Sequence, residues 1–248
     1  MMLRKFFTLV FLMACNYSQA QYYSVNDKDG YVNVRSRPDI NAEILYQLPN
    51  SKVIYETYDE DSNPKSNWLH AFFYLPEKSI NKGNEDYTPE IMNGYTLYSG
   101  YIYRSKLTTI EKLKQLNYKQ LKNGYFSFND SIKVSVLITP FIGSKHKIKY
   151  QDGFFEKVDN LPMMGTDGDK PRDEIKAITI SVNSISIDIP SKSFKNLFNP
   201  SFNNYTYTDD NGTIYLVMYN SDAAGSYSCI FIFRNGRFVE RLVFMGDC

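Results

Sequence analysis

Few side chains in this sequence could act as nucleophiles or zinc ligands. The chain contains two histidines, His70 and His146, and three cysteines. A thiol nucleophile needs a lowered pKa and a histidine base beside it. Cys229, however, lies in an apolar run that predicts a strand, and His146 stands between two lysines, where we expect it to be solvated. A His-Glu-x-x-His motif is absent from the sequence. These patterns do not favour a cysteine hydrolase or a zinc enzyme, and they predict no cofactor.

Acidic clusters leave a second kind of chemistry open. Carboxylates at 167–174 and at 209–222 could supply the pair that a glycoside hydrolase needs, although no spacing in the sequence marks such a pair. The same clusters do not follow the ligand order of an EF-hand calcium loop. We therefore expect solvated turns and no metal at these positions, and we keep a carboxylate-based hydrolase as an alternative function.

Residues 1–20 have the order of a secretory signal peptide. Arg4 and Lys5 precede an apolar run at 6–14, which is too short to span a bilayer as a mature helix, and Ser18 and Ala20 suit a cleavage site. The run before Cys15 also resembles a lipobox, in which Cys15 would be acylated. We expect export to the periplasm or the medium, with an outer-membrane lipoprotein as the alternative.

Charge and composition exclude some partners. The chain has a net charge of +1, and removal of residues 1–20 leaves −1. A nearly neutral protein has no electrostatic attraction for nucleic acid, and we expect membrane association only through a lipid on Cys15. Aromatic residues make up 16% of the chain, which indicates either a ligand surface built from rings or a biased composition that fills the core.

An exported chain can keep disulfides, and a bond between Cys229 and Cys248 is possible. The Asn235-Gly236 turn predicts a hairpin that starts near Cys229. A two-residue turn there places Cys229 opposite Leu242, so Cys248 would have to fold back over the sheet to reach it.

The segment 22–108 predicts a small β-barrel. Residues 30–38 alternate apolar Val32 and Val34 before a turn at Pro38. Further strand signals follow at 44–48, 52–58, 67–74 and 101–104, with polar turns between them.

This segment resembles the bacterial SH3-like (SH3b) family. The run Asn33-Val34-Arg35-Ser36-Arg37-Pro38 matches the family's opening signature, with Arg37 where Gly is common. Trp68 begins a later strand, and Gly100-Tyr101-Ile102 matches the closing element. A polar stretch at 76–94 separates these two elements and indicates a surface insertion, which could overlay a binding groove.

The resemblance implies a binding or targeting module for cell-wall peptidoglycan or a peptide. The ring residues that it implies for a groove are Tyr46, Tyr74 and Tyr101, with Trp68 beneath or beside them, where a lone Trp commonly fills the core. Arg35 could contact a ligand carboxylate, but bracing the loop near Asp39 is the role that we favour.

Beyond the barrel, we expect a connecting helix and a second all-β domain. Ile110, Leu113 and Leu116 recur near helical spacing after a Thr cap, which predicts a linker helix over 107–122. Strand and turn signals then dominate residues 124–248, with hairpins around Asn183, around 209–212 and around Asn235. They indicate an antiparallel sandwich or a curved sheet.

The sequence thus predicts an exported, non-enzymatic SH3b protein of all-β class that binds a cell-wall peptide or an envelope protein. The alternatives are a carboxylate-based hydrolase in the C-terminal domain, and an interaction or inhibitor protein for a secreted partner. An apolar patch on the exposed face of the Ile230 hairpin would favour the inhibitor alternative.

Overall fold

A computed structural model describes residues 21–56, 65–76, 95–202, 204–221 and 225–245. The predicted signal peptide, Cys15, Cys248 and most of the predicted insertion at 76–94 lie outside these residues. The described part is all-β, as the sequence predicted.

The described residues between 21 and 109 form a seven-stranded antiparallel sheet, here called the first sheet. Its order is β3-β2-β6-β5-β4-β1-β7. The strands are β1 (Gln21–Val25), β2 (Tyr31–Arg35), β3 (Ile44–Pro49), β4 (Val53–Glu56), β5 (Trp68–Pro76), β6 (Tyr95–Tyr103) and β7 (Leu107–Thr109).

The first sheet curls because two of its ladders are very short. β2 meets β6 only through the pair Arg35 and Tyr101, and β4 meets β5 only through Tyr55 and Phe72. Since adjacent strands can separate beyond a short ladder, the sheet bends into three groups of strands, namely β3-β2, β6-β5 and β4-β1-β7. These three groups of strands enclose a separate core, formed by Tyr23, Val25, Val32, Val34, Leu48, Ile54, Leu69, Ala71, Phe73, Tyr98 and Ile102.

The predicted linker helix over 107–122 is wrong. This stretch forms β7, a 3-10 turn at Ile110–Lys112, β8 (Lys114–Gln115) and β9 (Asn117–Leu121). These three strands belong to three different sheets. Ile110 and Leu116 are buried, but they anchor successive crossings between sheets instead of lining one face of a helix.

The remaining chain forms two five-stranded sheets and a three-stranded ribbon. The second sheet has the order β16-β15-β11-β10-β9, and the last sheet has the order β20-β19-β18-β17-β8. The further strands of the second sheet are β10 (Gly124–Phe128), β11 (Ile132–Pro140), β15 (Asp173–Val182) and β16 (Ile185–Ile187). The ribbon contains β12 (Ile148–Gln151), β13 (Phe154–Val158) and β14 (Leu161–Pro162), and the last sheet adds β17 (Asn204–Thr208), β18 (Ile214–Asn220), β19 (Tyr227–Arg234) and β20 (Arg237–Met245).

The central strands of the last sheet, β18 and β19, are buried on both faces. Every residue from Ile214 to Met218 on β18 and from Tyr227 to Phe233 on β19 is buried. One face turns to the first sheet, where Tyr215 bonds to Ser24. Because side chains alternate along a strand, the other face turns to the second sheet and shares a core with Tyr125 and Val136. This explains why β19 has a continuous apolar run instead of the alternation of a half-buried strand.

Phe244 on β20 is the centre of the contact between the first and last sheets. Its ring lies 4.7 Å from Tyr55, 4.9 Å from Tyr22 and 5.8 Å from Tyr74. Tyr22, Tyr74 and Phe244 belong to a core cluster that continues into the second sheet, and Tyr55 packs against this cluster. The first sheet and the C-terminal sheets therefore share buried apolar surface.

Polar contacts fix the same junction. Lys52 Nζ lies 3.0 Å from both carboxylate oxygens of Glu240, and the two side chains are 9% and 12% exposed. Ser51, in the turn between β3 and β4 of the first sheet, donates a hydrogen bond from Oγ to Asp209 Oδ2 at 3.3 Å. Buried charge pairs of this kind specify one arrangement more than they add stability, because desolvation offsets much of their attraction.

The predicted C-terminal hairpins are confirmed. β15 and β16 are joined at Asn183 and Ser184, both with positive φ, and β19 and β20 are joined at Asn235 and Gly236, again with positive φ. Such paired positive φ values match the right-handed twist of the strands. A β-bulge between Ile232 and Phe233 shifts the register beyond the second turn.

The described residues contain no helix that is long and apolar enough to cross a membrane.

The junction predicts a large stability loss when Phe244 is truncated. Phe244→Ala should lower the free energy of unfolding by about 3–5 kcal/mol, because a buried ring is lost and a cavity remains. Urea denaturation of residues 21–248 measures this. Val239→Ala, on the same strand but 47% exposed, is the control and should change stability by less than about 0.5 kcal/mol. Equal effects of the two substitutions would contradict the central position of Phe244.

Candidate functional site

A small pocket opens on the first sheet where β2 and β6 separate. Beyond the pair Arg35 and Tyr101 the two strands share no further ladder pairs, so a gap forms between Tyr31 on β2 and Tyr103 on β6. The pocket has a volume of about 170 Å³. It is lined by Asp27, Asp29, Tyr31, Val32, Asn33, Arg35, Ile40, Trp68, Ile102, Tyr103 and Lys106.

Alternation along the strands supplies the outer wall of the pocket. Val32 and Val34 point into the core of the first sheet, so Tyr31, Asn33 and Arg35 lie on the opposite face of β2. Because Gly100 on β6 has no side chain, β2 can pass close to β6 at this point. A Cβ on Gly100 would lie 2.5 Å from Val34 Cγ1 and 3.1 Å from the Arg35 carbonyl oxygen. This explains the glycine of the closing element.

Arg35 braces the loop at 36–43, which is the role favoured from the sequence. Its Nη1 donates a hydrogen bond to the carbonyl oxygen of Ala42 at 2.7 Å. Within the loop, the Ala42 amide donates to the Asp39 carbonyl oxygen at 3.1 Å. The brace holds the loop that carries the exposed side chain of Ile40 to the pocket.

Asp27 and Lys106 form an ion pair at the pocket wall. The Asp27 carboxylate also accepts a hydrogen bond from the Asp29 amide at 2.8 Å. The hydrogen bond from Lys106, and then that from the Asp29 amide, hold the pKa of Asp27 below its usual value. The same pair raises the pKa of Lys106. Both groups are therefore charged near neutral pH, and Asp29 adds a second carboxylate to the pocket.

Arg104 fixes the 3-10 turn at Arg104–Lys106 that carries Lys106. Its guanidinium binds both oxygens of Glu56, with Nη2 at 2.5 Å and Nη1 at 3.2 Å, and its Nε donates to the Ser66 carbonyl oxygen at 3.0 Å. This two-point bond is geometrically specific. The hydrogen bonds that Arg104 donates to Glu56 raise the pKa of its guanidinium.

Trp68 stands at the pocket and does not fill the core of the first sheet. Its ring meets Tyr103 edge to face, with centroids 5.3 Å apart, and it is half-buried. An aromatic pair with one exposed member provides apolar contact area at little cost in conformational entropy.

The other three predicted ring residues lie elsewhere. Tyr46 packs on Tyr98 at 5.1 Å. Tyr74 is buried at the junction with Phe244. Tyr101 stacks on His70 at 4.8 Å, opposite Arg35 on the neighbouring strand. Of the five predicted residues, the pocket brings together Arg35 and Trp68.

The sequence reading missed five principal lining residues, namely Asp27, Tyr31, Ile40, Tyr103 and Lys106. Asp27 lies in the turn between β1 and β2, outside the predicted strands, and Lys106 lies immediately before the predicted helix at 107–122. The usable signal was the alternation on β2, which places Tyr31 and Arg35 on one face.

Cys229 is buried in the last sheet. Burial raises the pKa of its thiol to about 12. The β-bulge places it opposite Val243 instead of the predicted Leu242. The disulfide with Cys248 stays a prediction, because Cys248 lies outside the described residues.

The carboxylates considered for hydrolysis have other contacts. Asp209 Oδ1 accepts hydrogen bonds from the Asn211 amide at 3.0 Å and the Thr213 amide at 2.8 Å, which close its own hairpin turn. Glu174 faces His146. Neither carboxylate lines the pocket. Within the described part of the chain, no group of three His, Cys, Asp or Glu side chains could hold a metal ion.

No family model, curated protein or solved structure matches the chain.

Gly100→Ala tests the close approach that shapes the pocket. The new methyl group should push β2 away from β6 and lower the free energy of unfolding by about 1–3 kcal/mol, as overpacking does. Urea denaturation measures the loss, and the emission maximum of Trp68, the one tryptophan in the sequence, should shift. Ser99→Ala on the same strand is the control. Unchanged stability and emission in Gly100→Ala would contradict the close approach.

Proposed function

We propose that the protein is an exported, non-enzymatic binding protein whose N-terminal part is an SH3-like domain. The domain would bind a peptide of the cell wall or of an envelope protein. The observation that carries the proposal is the pocket between β2 and β6, where Trp68 and Tyr103 stand beside groups of both charges.

The curled first sheet supports the assignment of its fold. The three groups of strands in this sheet enclose a compact core. The residues that resemble the SH3b signature, 33–38, run from β2 into the loop that Arg35 braces. We further propose that the second and last sheets form an antiparallel sandwich, since their facing residues belong to one core cluster.

The size and lining of the pocket favour a peptide group as its ligand. A volume of about 170 Å³ is below the roughly 300–1,000 Å³ of pockets that enclose drug-sized ligands, so it suits one side chain or one chain end. Asp29 could pair with an amine and Lys106 with a carboxylate, while Trp68 covers the aliphatic part. A wall peptide or an envelope protein offers such groups.

The two alternatives receive less support. Asp209 is bound within its own turn and to Tyr215, which does not suit a hydrolytic carboxylate. Ile230, Ile232 and their neighbours on β19 are buried on both faces, so this strand does not present the apolar patch that would favour an inhibitor.

Sedimentation with purified peptidoglycan tests the proposal. Residues 21–248 should be used whole, because Tyr22 and Tyr74 lose their buried contacts when the first sheet is cut away. We expect the wild-type chain to sediment with the polymer, and Trp68→Ala to bind about tenfold more weakly, as loss of an aromatic anchor does.

Tyr150→Ala is the control, since Tyr150 is an exposed ring on β12 outside the pocket, and it should bind like the wild type. Equal retention of Trp68→Ala and wild type would reject the pocket as the site. No retention of the wild type would reject the wall-peptide ligand.

A further inference from the structure

His146 lies between two carboxylates. Its Nδ1 is 2.9 Å from Asp159 Oδ2, and its Nε2 is 3.1 Å from Glu174 Oε2, as an ion-pair contact without hydrogen-bond alignment. The imidazole stacks on Phe141 with centroids 4.8 Å apart and an angle of 17°. Its side chain is 14% exposed, so the expectation that His146 is simply solvated is wrong.

This arrangement depends on the protonation of the imidazole. A neutral imidazole has one N–H donor and one acceptor nitrogen, whereas the imidazolium has two donors. Since both ring nitrogens of His146 face carboxylate oxygens, a neutral ring would direct a lone pair at one of them. Only the imidazolium is attracted by Asp159 and Glu174 together.

The ionisation of Asp159 sets the lower end of the pH range in which this arrangement is held together. The Lys147 amide donates to Asp159 Oδ1 at 2.9 Å. The hydrogen bond that the Asp159 carboxylate accepts from His146, then the one from the Lys147 amide, and more weakly the charges of His146 and Lys195, lower the pKa of Asp159. A lowered carboxyl pKa gives stability that is present above the unfolded value and is lost as the pH falls through the folded value.

The three residues connect the ribbon to the second sheet. Asp159 is in the turn between β13 and β14, His146 precedes β12, and Glu174 lies on β15. Behind them, Phe141 packs on Phe198 at 5.5 Å, in a small core that also contains Val158.

We propose that His146, Asp159 and Glu174 form a proton-dependent clasp, which holds the ribbon on the second sheet while the imidazole is charged and loosens it when the imidazole becomes neutral. The ribbon carries two exposed rings, Tyr150 and Phe154, and the clasp sets how firmly they are held.

NMR of residues 21–248 labelled with ¹³C-histidine tests the clasp. The chain has two histidines, so His70→Gln assigns both signals and serves as the control outside the clasp. We expect the amides of β12 and β13, corrected for intrinsic rates, to exchange roughly tenfold faster once the His146 signal reports the neutral ring, because a charge-assisted contact is lost.

The Asp159→Asn, Glu174→Gln double variant removes both carboxylates while keeping the side-chain shapes. It should remove most of this pH dependence, whereas His70→Gln should retain it. Ribbon exchange that stays constant through the His146 titration in the wild type would overturn the proposal. So would a double variant that keeps the full pH dependence.

Discussion

The burial of β18 and β19 on both faces is the constraint on which the rest of the structure depends. Nearly every residue of these two strands is buried, so each face needs a cover. The second sheet covers one face, and the first sheet covers the other through Tyr22, Tyr55 and Tyr74 around Phe244. Burial of such rings outweighs the individual polar contacts at the junction, because desolvation offsets much of the attraction within a buried ion pair such as Lys52–Glu240.

This cover leaves the opposite end of the first sheet open for binding. Phe72 packs on Tyr55 close to the junction, whereas Trp68, at the start of the same strand, lies at the pocket. One strand, β5, thus connects the buried junction around Phe244 with the proposed site. The short ladder between β2 and β6 that curls the sheet also creates the gap that forms the proposed site.

The sequence predicted the elements whose cause is local. Asn235-Gly236 and Asn183 define hairpins through their own backbone preferences, and Val32 and Val34 define β2 through alternation. The stretch at 107–122 was misread because Ile110, Leu113 and Leu116 have helical spacing, while their actual positions follow from contacts with three separate sheets. Asp27 and Lys106 lie 79 positions apart in the sequence, and only the curl of the first sheet brings them together. The His146 clasp was hidden for the same reason, since Asp159 and Glu174 come from separate elements.

The central claim is that a peptide group binds beside Trp68. Because this is the one tryptophan in the chain, its fluorescence reports directly on the pocket. Titration of residues 21–248 with soluble peptide fragments of the cell wall should give a saturable change in Trp68 emission, and Lys106→Gln should weaken the apparent affinity. Emission that stays constant while the same fragments bind the protein by calorimetry would contradict the account, since the ligand would then occupy another surface.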